Sequence, residues 1–338
     1  MNKNVEKKYF TLLIISIVLL ICVVLLALII GRFSISIKDV VNFIVGKSDS
    51  NSLNHNVILK LRLPRTLMAL FVGCALSLSG IVYQETFQNR LVSPDILGVS
   101  SGASVGIALG LLVGVPVIFI SLMGFVFGIL SMISTLLLAK VFYNKTPMIL
   151  ILSGVIVGGF MTSILSIIKS IANADTILPT ITYWLLGSFD KTEISDVFII
   201  APIVVISATI FVVIKWKINL ISLGEEEATT KGIDYKKYRL VIICVATLLT
   251  ASAVAFSGVV GWVGLVIPQI VRIMIGRNTK YTIPLTITFG ALFMVIADII
   301  SRSFFQAEIP LSAVTGFIGV PIFVLILTFK KTEVNVRD

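Results

Sequence analysis

Hydrophobic residues occur in this chain as long uninterrupted runs that are separated by short polar segments. The run Leu12–Ile30 is continuously apolar, whereas a membrane-spanning β-strand would alternate apolar and polar residues. Runs of about 20 apolar residues are long enough to cross a bilayer as helices. Eight runs reach this length: 10–30, 66–83, 117–140, 148–168, 194–214, 240–257, 282–301 and 312–329.

Two further apolar runs are weaker. Residues 96–114 are rich in glycine and serine, and residues 258–275 are interrupted by three glycines and Pro268. We therefore predict an all-α polytopic membrane protein with ten transmembrane helices, two of them short, in a single domain over residues 1–338. Each weak run follows a strong one, once in each half, which predicts a repeat of helices 2–5 in helices 7–10. Close helix packing by small residues is the alternative explanation.

The basic residues predict how the chain lies in the membrane. The chain is 57% hydrophobic and 13% charged, with 27 lysines and arginines and a formal net charge of +10. If the N-terminus is cytoplasmic, about two thirds of the basic residues fall on the cytoplasmic side, so we predict that both termini are inside. The predicted outer segment 31–65 is the basic exception. Topology accounts for the positive charge, and we expect no nucleic-acid partner.

Residues that commonly carry chemistry are sparse. Cys22, Cys74 and Cys244 lie far apart inside apolar runs, and His55 has no neighbouring ligand residues. The chain has no glycine-rich phosphate-binding motif ending in Lys-Ser or Lys-Thr. We therefore expect no catalytic residue, metal site or cofactor in this chain.

Eight short motifs follow one another along most of the chain. They are LRLPRT (61–66), SPDILGVSSGA (93–103), YWLLGSF (183–189), LGEEEA (223–228), GWVGLVIPQIVR (261–272), ADIISR (297–302), EIP (308–310) and GFIGVP (316–321). In this order they resemble the FecCD family, the permease subunits of bacterial ABC importers for iron-siderophores, haem and cobalamin. The resemblance covers residues 55–328 and departs at Gln269, where the family often has histidine.

The resemblance implies a multi-pass protein of the bacterial cytoplasmic membrane that works with three kinds of partner. These are a cytoplasmic ABC ATPase dimer, an extracytoplasmic substrate-binding protein, and a second permease copy or paralogue. An iron(III)-siderophore is the expected cargo, with haem or cobalamin as the alternative. An ion-driven secondary transporter is a competing hypothesis from another class, but it predicts ionisable residues near mid-membrane, and the strong runs contain almost none. A membrane enzyme would need clustered histidines or carboxylates, which a single histidine makes a poor fit.

The polar segment 215–239 is the longest predicted cytoplasmic loop. The resemblance implies that it forms two short helices that dock on the ATPase, and a solvated charged loop is the alternative. The residues expected to couple ATP hydrolysis to transport are Leu223, Gly224, Glu225, Ala228 and Gly232. Gly232 is expected to end the first short helix with a positive φ angle.

Three arginines lie at predicted outer helix ends. By resemblance, Arg62, Arg65 and Arg302 receive acidic residues of the binding protein, because a guanidinium group pairs carboxylates in bidentate fashion. Snorkelling at the membrane interface is the alternative. Asp298 precedes Arg302 by one helical turn, and a charge inside a span needs a partner, so we predict a structural ion pair between them.

The predicted gate and pathway residues come from two places. Thr146, Pro147 and Met148 form a tight cytoplasmic turn that, by resemblance, narrows the cytoplasmic gate. Gly98 and Gly102, in the first weak span, are the expected pathway residues.

Overall fold

Every regular element in the described ranges is helical. The computed structural model describes residues 3–50, 52–142, 147–304 and 307–335, and their side chains except those of residues 147 and 329–335. The α-helices are α1 (Lys3–Ile29), α2 (Ile37–Ile44), α3 (Leu53–Val57), α4 (Leu63–Thr86), α5 (Val99–Val113), α6 (Val117–Val141), α7 (Pro147–Ile171), α8 (Ile177–Leu185), α9 (Ile194–Ile221), α10 (Glu225–Thr230), α11 (Tyr235–Ser257), α12 (Val263–Ile275), α13 (Thr279–Ser303) and α14 (Leu311–Asn335). A π-helical turn (Ile58–Arg62) joins α3 to α4, and a 3₁₀ turn (Pro94–Leu97) precedes α5.

The long apolar runs form long helices, as predicted. Within the described ranges, eight helices are long and apolar enough to cross a membrane, and each contains one of the eight strong runs in whole or large part. The two weak runs form the shorter apolar helices α5 and α12. The order long, short, long, long therefore occurs in α4–α7 and again in α11–α14. Ten crossings, the inside location of both termini and the repeat itself stay predictions.

Helix α4 lies at the centre of the bundle and packs against α9, α11, α12 and α13. It approaches two of them without intervening side chains. A Cβ atom on Gly73 would lie 2.3 Å from the carbonyl oxygen of Gly290 in α13, and one on Gly80 would lie 2.0 Å from that of Gly264 in α12. Small residues allow such close backbone contact. In lipid, helices gain little from burying apolar surface against one another, so this close packing is what stabilises their association. The core of the protein is therefore built around α4.

The polar segment 215–239 differs from the prediction. Helix α9 extends to Ile221 and α11 begins at Tyr235, so one short helix, α10, lies between them instead of two. Asp234 caps α11 by accepting a hydrogen bond from the backbone N–H of Lys237 at 3.1 Å. The long helix α11 begins directly after this cap, with Tyr235 buried, so the predicted second short helix is absent from residues 215–239.

Candidate functional site

The segment between α9 and α11, residues 222–234, holds the residues predicted to couple ATP hydrolysis to transport and is named the coupling segment after that prediction. Gly224 has a φ angle of +110° and precedes α10, whose first turn holds Glu225, Glu226 and Glu227. Carboxylates are favoured there by the partial positive charge of a helix N-terminus.

Gly232, just after α10, has a φ angle of +79°, as expected from the sequence. The N–H of Gly232 donates to Thr229 and that of Ile233 to Ala228, which closes the helix in a Schellman motif.

The coupling segment is attached to the bundle by apolar residues and presents its acidic side outward. Ala228 is fully buried, and Ile233 and Tyr235 are nearly so, within the main hydrophobic core. Leu223 and the three glutamates are exposed. Glu225 approaches Lys236 at 3.7 Å, but their side chains are 47% and 70% exposed, so this ion pair contributes little stability. The helix α10 thus has exposed carboxylates on one side and the buried Ala228 on the other, an arrangement that suits docking on a partner.

The C-terminal end of α4 and the loop after it, residues 87–92, are bound to α12 by hydrogen bonds that the sequence did not predict. Arg272 of α12 contacts Glu85 at 2.8 Å and Gln84 at 2.5 Å. Gln269 donates to the carbonyl oxygen of Arg90 at 2.8 Å, so the amide that departs from the family pattern has a partner. Burial, together with the nearby Arg277 and Arg272, lowers the pKa of Arg90. Gln269 and Arg272 belong to the motif GWVGLVIPQIVR, but only the fold shows which groups they bind.

Charged residues from three parts of the chain meet at the opposite end of α4. The Nε atom of Arg65 lies 2.7 Å from Asp298, and its two Nη atoms lie 2.7 and 2.9 Å from the two oxygens of Glu308. Arg302 lies 3.4 Å from Asp298, so the predicted ion pair is present but makes no hydrogen bond. The principal partner of Asp298 is therefore Arg65, which is 233 residues away in sequence.

Arg62 and Arg302 bind the C-terminal end of α1. Arg62 donates to the carbonyl oxygens of Leu28 and Ile29 at 2.6 and 2.7 Å and also to that of Phe33. Arg302 donates to the carbonyl oxygen of Ala27 at 2.5 Å. The last carbonyl groups of a helix lack partners within the helix and carry partial negative charge. The two guanidinium groups therefore hold α1 against α4 and α13.

Their burial bears on the docking prediction. Arg62, Arg65 and Arg302 are 4%, 7% and 6% exposed, and each has partners inside the chain. In this conformation the three guanidinium groups contact groups of this chain, and their docking on a binding protein stays a prediction. Four other basic residues of the segment 31–65 are exposed: Arg32, Lys38, Lys47 and Lys60.

The expected pathway glycines lie inside helix contacts. A Cβ atom on Gly98 would lie 3.0 Å from Ser131 of α6, and one on Gly102 would lie 2.5 Å from the same residue. Both glycines are buried, so they line no open surface of this chain, and close packing explains their size. Of the expected gate residues, Thr146 lies outside the described residues, Pro147 begins α7, and Met148 is exposed on its first turn.

Helix α7 has an exposed row of hydroxyl groups that the sequence analysis missed. This hydroxyl stripe consists of Thr162, Ser163, Ser166 and Ser170. Their spacing of three and four residues places them on one face of the helix. Each hydroxyl donates to a carbonyl of its own helix at 2.8–3.0 Å, which leaves oxygen lone pairs facing outward. In the sequence, the three- and four-residue spacing of these hydroxyl residues in and just after the apolar run 148–168 could have predicted the stripe.

The sequence profile described as the FecCD transport family matches residues 19–329. The chain belongs to the FecCD family. It is thus a permease subunit of an ABC importer in the cytoplasmic membrane, and the resemblance drawn from the eight motifs is confirmed.

Relatives of this FecCD permease are named for different cargoes. The molybdate import permease MolB of Haemophilus influenzae is 35% identical over 94% of this chain and 95% of its own length. The Fe(3+)-citrate import permease YfmD of Bacillus subtilis is 33% identical over 87% of each chain. A solved structure described as an inward-facing metal-chelate type ABC transporter is 34% identical, covers 94% of this chain and 99% of its own, and has a TM-score of 0.85. The family is therefore shown by whole-length similarity, and the cargo is not.

Proposed function

We propose that this FecCD permease forms one half of the translocation pathway of a binding-protein-dependent importer that carries an iron(III)-siderophore into the cytoplasm. A second copy or a paralogue supplies the other half. The observation that carries this proposal is the coupling segment, an exposed acidic helix seated on the bundle by the buried Ala228. ATP hydrolysis takes place in a partner dimer that docks there.

Movement of the ATPase dimer is transmitted through the coupling segment. Ala228, Ile233 and Tyr235 belong to the main hydrophobic core, and α10 packs against α9 and α11, so a shift of α10 displaces these two helices. Leu223 and Glu225 face outward, where the partner binds, while Gly224 and Gly232 provide the positive φ angles that turn the chain into and out of α10. The coupling residues inferred from the sequence thus divide into partner-facing, seating and turn-forming positions.

The hydroxyl stripe of α7 is proposed to line the pathway between the two permease halves. A hydroxyl group that faces lipid finds no hydrogen-bond partner there, whereas one that faces a water-filled path can bind the cargo. They offer hydrogen bonds without charge, which suits a large hydrophilic chelate whose metal is already coordinated. Met148 on the first turn of the same helix, with Thr146 and Pro147, is proposed to narrow the cytoplasmic end.

A binding protein is proposed to dock at the outer end with Arg62, Arg65 and Arg302 beneath the contact. In this conformation these arginines position α1, α4 and α13, and the exposed Arg32 and Lys60 supply positive charge at the surface. Acidic side chains on the binding protein would be steered to this charge. Direct pairing with Arg65 would require it to leave Glu308, whose side chain is 15% exposed.

Molybdate is a second candidate cargo, because MolB is 35% identical over nearly the whole chain. Haem and cobalamin remain the alternatives within the family. The test is uptake by proteoliposomes that contain this permease with its cognate ATPase and binding protein. Ferric siderophore, haem, cobalamin and molybdate are supplied separately, and imported iron, cobalt and molybdenum are measured by mass spectrometry.

ATP-dependent accumulation of iron from the siderophore alone supports the proposal. Accumulation of molybdenum in its place would assign the second candidate. Failure of all four cargoes, with an active ATPase and a bound binding protein, would contradict the proposed cargo class.

A further inference from the structure

Gln88 has an unusual backbone conformation at the end of the central helix. Its φ angle is +52°, and in the described ranges only Gln88 and Trp262 combine a positive φ with a side chain. The N–H of Gln88 donates to Glu85 and that of Asn89 to Gln84, so α4 ends in a Schellman motif. Glycine is ordinarily preferred at this position, because a side chain there is strained. The glutamine at this strained position directs attention to the contacts of its side chain.

The side chain of Gln88 reaches the coupling segment. Its Nε2 atom donates to the carbonyl oxygen of Ser222 at 3.1 Å. The same atom lies 3.1 Å from where a Cβ atom on Gly224 would be, so the amide fits against the backbone just before α10. Ser222 and Gly224 flank Leu223, one of the residues expected to contact the ATPase. Gln88 thus touches the coupling segment at its first turn.

The loop that carries Gln88 is held at both ends. Glu85, one turn earlier, is paired with Arg272 of α12, and Arg90, two residues later, accepts the hydrogen bond from Gln269. Gln84 also donates to the carbonyl oxygen of Val92 at 3.1 Å. A displacement at Gln88 is therefore passed to α4 and to α12, which belong to different halves of the chain.

We propose that Gln88 is a positioning residue that links the coupling segment to α4 and α12, so that movement of the ATPase reaches both halves together. This inference rests on the proposed docking of an ATPase at α10. Without the link, the segment still binds the ATPase through its exposed residues, and its motion is transmitted only through the buried seat of Ala228.

Gln88→Gly tests the hydrogen bond to the coupling segment without destabilising the fold. It removes the amide and, because glycine accepts a positive φ freely, it relieves strain instead of creating it. Gln88→Met removes the donor while keeping a side chain of similar length. Gln88→Lys restores a donor of similar reach and is expected to rescue. Leu91→Ala, at an exposed position of the same loop, is the matched control.

The readout is the accessibility of α7, and it needs no cargo. A single cysteine replaces Ser166 in a cysteine-free background, and the permease is reconstituted in nanodiscs with its cognate ATPase. The rate of modification by a charged thiol reagent is measured without nucleotide and with ATP plus vanadate. With Gln88 intact, nucleotide changes this rate.

In Gln88→Gly and Gln88→Met, the nucleotide-dependent ratio of rates falls by roughly fivefold, the factor expected for the loss of one hydrogen bond. ATPase binding is unchanged and the thermal midpoint does not fall, and Gln88→Lys and Leu91→Ala respond like the parent. Full nucleotide responses in both the Gly and Met variants would overturn the inference. If the ATPase does not bind the parent, or nucleotide has no effect on it, then the proposed function itself fails.

Discussion

Asp298 carries a charge at a position where its side chain has no exposed surface. The carboxyl group of Asp298 is compensated mainly by Arg65. Arg65 is itself buried and also pairs with Glu308. Removing one partner of a buried ion pair leaves an uncompensated charge and typically costs about 3–5 kcal/mol. The pair therefore holds α4 against α13 only while both members are present.

Asp298→Asn is expected to destabilise the protein by about 3 kcal/mol, because Arg65 and Arg302 then share no carboxylate in the core. Glu308→Gln, at a side chain that is 15% exposed, is expected to cost less, since water can reach the freed end of Arg65. Thermal midpoints of the detergent-purified protein, read by size-exclusion chromatography, check the order. Equal midpoints for Asp298→Asn and the parent would contradict a structural role.

Glu225 begins α10 with about half of its side chain exposed, so its substitution tests partner binding more than the fold. Glu225→Lys reverses a charge at the helix N-terminus and is expected to reduce transport per ATP hydrolysed about tenfold or more, with membrane insertion intact. Transport and ATP hydrolysis are measured in the same proteoliposomes. Lys140→Ala, at an exposed position at the end of α6 and outside the coupling segment, is the control. Normal coupling in Glu225→Lys would argue against docking at α10.

At the scale of elements, α2 has its apolar side outward. Ile37, Val41, Ile44 and Val45 are exposed on one face, while Val40 packs inward against Leu28 and Ile58. Ser36 and Asp39 form a capping box that fixes the start of this short helix. Because α2 begins shortly after α1 ends, we expect it to lie in the membrane interface with its exposed face in lipid.

A fluorophore on Val41→Cys, in a cysteine-free background, is expected to be quenched by brominated lipids and protected from aqueous iodide. A fluorophore on Ser50→Cys, at the exposed end of the following loop, is expected to show the reverse. Iodide quenching of both positions would place α2 in water. Loss of lipid quenching at residue 41 on addition of the binding protein would show that the face binds protein instead.

The hydroxyl stripe of α7 makes a prediction of the same kind. Cysteines at 162 and 166 are expected to react with a charged thiol reagent in the assembled importer, because a water-filled path ionises the thiol. A cysteine at Val205, exposed on the apolar face of α9, faces lipid and is expected to react at least tenfold more slowly. Similar slow rates at all three positions would remove the stripe from the pathway.

Helix lengths were predictable at this scale, and helix ends were less so. The apolar runs locate the spans because bilayer thickness sets their length. The single helix α10 was not anticipated, since the capping of α11 by Asp234 and the burial of Tyr235 extend that helix into the polar segment. The positive φ of Gly232 was correctly expected, because a helix end has a local sequence signal.

At the scale of the whole molecule, the chain is expected to need its partners. Reconstituted alone in liposomes with a proton or sodium gradient, it should accumulate none of the four candidate cargoes. Adding the cognate ATPase, the binding protein and ATP should produce accumulation, which is measured as the metal retained after washing. Uphill uptake by the chain alone would instead support an ion-driven transporter.

The amino-acid sequence by itself determined the class of protein, the positions of its spans and its family. Each of these depends on local quantities: the length of an apolar run, the spacing of a motif, or a glycine at a helix end. The tertiary structure decided which residues meet. It paired Arg65 with Asp298, turned Arg62 and Arg302 toward the carbonyls of α1, and placed Gln88 against Ser222. Such contacts join residues that are distant in sequence, and a single sequence carries no local signal for them, because they arise only when the helices pack.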